Sequence, residues 1–174
     1  LKIERIEPAE VDAEELRRLL PTSRRDPEAM LADVRTLMGT ISHPAVKGLI
    51  DAYLGDSSFV TRFTQAPAAI SVHHAYLGGL IEHTLQLLTA ANVILPQYPD
   101  LDRDIVLAGL LLHDSGKVLE FDLERFEYTR RGNLLGHLMD GVVMMETYAA
   151  KAQLAGSPVL PADAKLAIQH IIAS

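Results

Sequence analysis

Apolar residues recur every three or four positions through almost the whole chain, in segments separated by proline, glycine and capping residues. Few sequence features restrict a fold more. Asp26-Pro27-Glu28 is a cap with proline at the first helical position, and Met30, Leu31, Val34, Leu37, Met38 and Ile41 follow at helical spacing. His43-Pro44 restarts a shorter helix through Leu49, Ile50, Tyr53 and Leu54, which Gly55 and Asp56 close, and Phe59, Val60 and Phe63 mark another short helix that Pro67 ends. A long helix is predicted from His73 to Leu95, with Tyr76, Leu80, Leu87 and Ala91 on one stripe. The next runs from Leu101 to His113 and breaks at Gly116. Residues 119–131 alternate weakly and read as a loop or small hairpin. Asn133 is the expected cap of a helix over Leu134 to Leu154, and Pro161-Ala-Asp163 opens a last helix that is still running at Ser174. Consecutive helices with short connections predict an all-α bundle.

Composition narrows the chemistry. With 174 residues, 48% of them hydrophobic, the chain can bury a substantial core. It has no cysteine, so a metal would have to be held by His, Asp and Glu. A formal charge of -7 is the wrong sign for a protein that grips nucleic acid over its whole surface, and a polyanionic substrate would need local positive charge or metal ions. No apolar run approaches the roughly 18 residues of a membrane span. The first residues, LKIERIEPAE, lack an apolar signal core. A soluble, cytoplasmic protein without a membrane partner is expected, and the abrupt ends suggest a piece of a longer chain.

Burying a strongly polar side chain costs several kcal/mol unless it is paired or bound to metal. Four such residues lie on faces that otherwise read as core. His83 shares the stripe of Leu80 and Leu87, His113 the face of Val106, Gly109 and Leu110, and His137 that of Leu134, Gly141 and Met144, while Asp114 follows His113 directly. A lone histidine of this kind is more simply a hydrogen-bonded core residue. Imidazoles from three helices beside a carboxylate, in the run HDSGK, point instead to a metal site. Such donors suit Mn, Fe, Co, Ni or Zn better than Ca or Mg alone. Asp114 could reach between two ions, and a pair about 3.5–4 Å apart activates water and neutralises a phosphoryl group under attack. Lys117, one turn beyond His113, is either a phosphate contact or a solvated helix-end lysine.

HDSGK resembles the signature of the HD superfamily of metal-dependent phosphohydrolases, with His83 matching the upstream histidine and His113-Asp114 the dyad. The stretches APAAISVHHAYLGGLIEHTLQL, YPDLDRDIVLAGLLLHDSGKVLEF and YTRRGNLLGHL are similar to the HD domain of the YhaM-type 3′-to-5′ exoribonucleases, from about Ala66 to the end of the sequence. The resemblance implies an HD-domain helical bundle over 67–174, cut short at its C-terminus. Residues 1–66 would be a helical lead-in that follows an OB-type module. It implies His83, His113, Asp114 and His137 as ligands of divalent metal, two ions and typically manganese, with Fe, Co, Ni, Zn or Mg as alternatives. Asp114 and Lys117 would be catalytic, the latter at a phosphate. His73 and His74 would lie near the substrate; Arg130 and Arg131 would flank the metals and meet phosphates, or form a solvated loop pair. His170 either faces the site or packs within its helix, and Asp140 belongs behind the ligands or at the surface. The family continues with a histidine pair in an SHHG-like motif and a later aspartate, whereas this sequence stops at IIAS, so weak, partial or absent metal binding is expected of it. The implied activity is removal of nucleotides from the 3′ end of single-stranded RNA or DNA. Hydrolysis of a small nucleotide or cyclic dinucleotide, and an inactive module that binds a ligand or partner, are the alternatives. Oligomeric state stays open.

Overall fold

A computed structural model describes residues 15, 19–69 and 74–174. Helices dominate, as the periodicity requires. α1 (Pro27–Met38) starts where the Asp26 side chain accepts from the Glu28 N–H, and it buries Met30, Leu31, Val34 and Met38. α2 (Pro44–Gly55) is capped by His43, whose ring nitrogen accepts from the Val46 N–H, and Asp56 both closes α2 and caps α3 (Ser57–Gln65). α4 (Gly79–Ile94) leads through a turn of 3₁₀ helix to α5 (Arg103–Leu112). The four-residue α6 (Lys117–Glu120) is followed by an antiparallel hairpin of β1 (Phe121–Asp122) and β2 (Glu127–Tyr128), then α7 (Arg130–Leu154) and α8 (Ala162–Ala173).

α1 packs on α4, α4 on α5, α5 on α8, and α2 and α6 both on α7. One contiguous core joins Met30, Val34 and Ile50 of the first helices to Leu80, Leu107 and Ile168 of the later ones. Burial of each such side chain contributes about 1.5–3 kcal/mol. The N-terminus of α5 is tied across the bundle by Asp104, which accepts from the N–H and hydroxyl of Ser42 at 2.8 and 2.9 Å and from the His43 N–H at 2.8 Å. Among the described residues no helix is long and apolar enough to cross a membrane.

Two helix starts differ from expectation. The helix predicted from His73 begins only at Gly79, because His74 (φ 58) and Gly78 (φ 78) hold left-handed conformations that a helix cannot continue through. Tyr76 is therefore off the helix, and the buried stripe is Leu80, Ile81, Thr84, Leu85 and Leu88. That rotation leaves His83 half-buried at its edge. Asn133 is not a cap: Thr129 caps α7 through a bond from the Gly132 N–H, and the helix is interrupted at Gly136 (φ 70, ψ 163).

Candidate metal centre

α5 delivers the first half of the site. Leu107, Leu111 and Leu112 are fully buried, which fixes the helix register and leaves His113 on the half-buried face at its last turn. His113 Nδ1 lies 2.8 Å from the Leu110 carbonyl oxygen. A carbonyl only accepts, so Nδ1 carries the proton and Nε2 faces Asp114 Oδ2 at 3.3 Å. From α4, His83 Nε2 reaches the same oxygen at 3.7 Å. Ligand atoms of His83, His113 and Asp114 all lie within 4.8 Å of one another, a spacing that one cation can span.

The second half approaches from α7. His137 Nε2 stands 3.5 Å from the other oxygen of Asp114, Oδ1. Its ring and backbone are held from behind: Glu120 Oε1 accepts from the His137 N–H at 3.1 Å and lies 3.0 Å from Nδ1. Glu120 is buried, and sequence reading passed over it. Its signal was faint, an acidic residue between Leu119 and Phe121 whose side chain meets a residue far along the chain. Glycines let these parts touch. A β-carbon on Gly116 would overlap the His137 carbonyl oxygen, and one on Gly132 would overlap the Glu120 carbonyl oxygen.

Asp114 is the electrostatic centre. Burial acts on it most strongly and would raise its carboxyl, but His113 and Lys117 outweigh burial and hold it far below the ordinary carboxylate range. For His113, burial again opposes, and the hydrogen bond and charge of Asp114 raise the imidazole overall. His83 goes the other way: burial lowers it, helped by His113, His74 and Lys117, against the pull of Asp114. The two imidazoles thus differ through closeness to one carboxylate. Two imidazole nitrogens, of His83 and His113, beside an ionised carboxylate form a donor set that fits a first-row divalent cation, which would stand in for the protons shared with Asp114 otherwise.

Other predicted residues fall in several places. Lys117 Nζ donates to Asp114 Oδ2 at 2.9 Å and to the Ala68 carbonyl at 2.7 Å, so it is tied into the site rather than solvated. The His74 ring is 5.5 Å from that of His83 and adjoins the cluster, while His73 lies outside the described residues. Arg131 pairs with Asp140, Nε at 2.8 Å and Nη2 at 2.6 Å from Oδ1. Asp140 is completely buried and requires such a partner, an engagement the sequence reading did not foresee. Arg130 is exposed, and so is His170, whose carbonyl accepts from the Ser174 hydroxyl. The structure thus gathers His83, His113, Asp114, Lys117 and His137, and leaves Arg130 and His170 at the surface.

The family model described as "HD domain" matches residues 80–174, the stretch that contains His83, His113, Asp114 and His137. The chain is similar to "3'-5' exoribonuclease YhaM" of Bacillus subtilis (strain 168), 39% identical over 113 residues that make up 64% of this chain and 34% of that protein. It is also similar to "3'-5' exoribonuclease YhaM" of Bacillus velezensis, 37% identical over 117 residues, 67% of this chain and 35% of that protein. The matched stretch spans about a third of the length of these curated relatives. No solved structure matches the chain.

Proposed function

Because the chain belongs to the HD domain family, we propose that it carries the hydrolytic centre of a metal-dependent phosphodiesterase that removes nucleotides from the 3′ end of single-stranded RNA. One observation carries this reading: the two oxygens of Asp114 are shared between separate imidazoles, Oδ2 with His83 and His113 and Oδ1 with His137. A carboxylate so placed would hold divalent metal together with His83 and His113 through one oxygen and beside His137 through the other. Bound divalent cations, manganese in our reading, supply an acidified water and neutralise charge on the phosphodiester. The chain's own residues do the rest. Lys117 keeps Asp114 ionised and oriented, and its ammonium is the positive charge we assign to the scissile phosphate. His74, beside His83, is assigned to the rim where substrate enters. The names of the two relatives support RNA as substrate, and we place the activity in the cytoplasm, in keeping with a chain that has no cysteine.

A second reading, hydrolysis of a small nucleotide, is favoured by the pairing of both Lys117 and Arg131 with carboxylates, which leaves less positive charge for a long polyanion. One assay separates the two. The intact protein with Mn²⁺ and a 5′-labelled oligoribonucleotide should give a ladder of shortened strands. Asp114→Ala should slow it by more than about 100-fold, since a direct ligand matters more than the groups behind it. Equal rates for the two proteins would overturn the mechanism; absence of a ladder together with turnover of a nucleotide would move the reading to the small substrate.

A further inference from the structure

We infer that Glu120 is a positioning residue for His137, fixing the proton on Nδ1 so that Nε2 is presented to the metal side of the site. The inference rests on the reading of His137 as a metal ligand and deepens it. A carboxylate can only accept, so the 3.0 Å approach of Glu120 Oε1 to Nδ1 is attractive only with the proton on Nδ1. In the neutral ring with that nitrogen occupied, Nε2 carries the lone pair, and it faces the metal side of the site, 3.5 Å from Asp114 Oδ1.

The surroundings hold Glu120 for this task. Its carbonyl accepts from the Thr129 N–H at 2.9 Å, its main chain is backed by Gly132, and its side chain is buried. In an unbroken helix the His137 N–H would bond to the carbonyl of Asn133. The interruption at Gly136 turns that N–H to Glu120 instead, 3.1 Å away, so one carboxylate oxygen fixes the backbone and the ring of the same residue. Capping of the renewed helix would account for the backbone bond alone. It does not require the ring to meet the same oxygen. Carboxylates behind metal-bound imidazoles set ring orientation and tautomer, and their loss typically weakens metal binding about 10- to 100-fold.

The experiment reads the tautomer directly. Long-range ¹⁵N–¹H spectra of the intact, metal-free protein, recorded at a pH where the spectra themselves show the His137 ring neutral, should show it as the Nδ1–H form. Glu120→Ala should lose that form and bind Mn²⁺, followed by electron paramagnetic resonance, about 10- to 100-fold more weakly. Glu120→Gln keeps an accepting oxygen and should restore both the tautomer and most of the affinity. Should Glu120→Ala fail to fold, the wild-type spectrum still decides: His137 as Nε2–H overturns the inference. His137→Ala separates the two levels. If it weakens Mn²⁺ binding while Glu120→Ala does not, the positioning role is overturned and the metal reading stands; if His137→Ala leaves Mn²⁺ affinity unchanged, both fall.

Discussion

The two halves of the candidate centre, His113 on one side of Asp114 and His137 on the other, are held by different means. His113 is set by its own helix, with Leu110 three residues earlier supplying the carbonyl and buried leucines fixing the register. His137 is set from a distance: Glu120 is 17 residues away in sequence, the helix between them is interrupted at Gly136, and Gly116 makes room for the His137 carbonyl. A helix that carries its own support tolerates change anywhere its register survives. A site assembled by backbone contact does not, because backbone cannot rotate away as a side chain can.

Gly116→Ala should produce the largest effect. Its β-carbon would overlap the His137 carbonyl oxygen and also approach the Gly141 nitrogen at 2.7 Å, both backbone atoms. A cost of at least about 3 kcal/mol is expected, measured by urea unfolding. A cost below about 1 kcal/mol would mean that the His137 half adapts as readily as a side-chain contact does, and the distinction between the halves would go.

Asp104 tests the other half, because it anchors the start of the helix that carries His113. Burial, the largest influence on its carboxyl, would raise it; the His43 N–H, the N–H and hydroxyl of Ser42 and the charge of Arg103 outweigh burial and lower it overall. A carboxyl depressed in the folded state stabilises the fold above its unfolded value, near 4, and the contribution is lost as pH falls through the folded value. Asp104→Ala should therefore cost about 2–3 kcal/mol at pH 7, and the gap from wild type should shrink below pH about 4. A gap that stays constant with pH would show that the ionised carboxylate is not what ties α5 down.

Gly136→Ala returns to the second half with a smaller expected effect. A non-glycine residue at φ 70 and ψ 163 is strained, at a cost of about 2 kcal/mol. Part of that strain should be relieved by a shift of the break, so the His137 ring resonances should move while those of His113 stay in place. Equal perturbation of both would show that the halves are coupled rather than separately held.

The same contrast separates what was legible in the sequence from what was not. Helical periodicity made the all-α class readable, and HDSGK with an upstream and a downstream histidine pointed to residues that the fold does bring together. His113 needs only its own helix, so local spacing was enough to place it. Gly136 was hidden because GNLLGHLMDG keeps a helical spacing of leucine and methionine. Yet Leu134 is 71% exposed and Met139 53%, so that pattern does not mark a core face. Asn133 is a favoured cap residue by type, but Thr129 lies where the hairpin returns, and position decided which of them caps α7. The His83 helix was started too early since nothing in HHAYLGG reveals that His74 takes a left-handed conformation. Glu120 has a partner no short-range rule connects to it.

Gly109→Ala is the smallest test and the sharpest control. Like Gly116 it is a buried glycine close to the centre, within α5 and only four residues before His113, whose N–H bonds to its carbonyl at 2.7 Å. A β-carbon there would meet Ile171 of α8, first at the far methyl Cδ1 and then at Cγ2 and Cβ at 2.9 and 3.0 Å. Ile171 is only half-buried, so its side chain can yield where the His137 carbonyl cannot. Overpacking costs about 1–3 kcal/mol, and replacing glycine by alanine in a helix interior returns close to 1 kcal/mol. A net loss of about 1 kcal/mol is expected, with Mn²⁺ affinity and the His113 resonances unaltered. If Gly109→Ala proves as damaging as Gly116→Ala, the cost of crowding this site does not depend on whether backbone or side chain is struck, and the two halves are held alike.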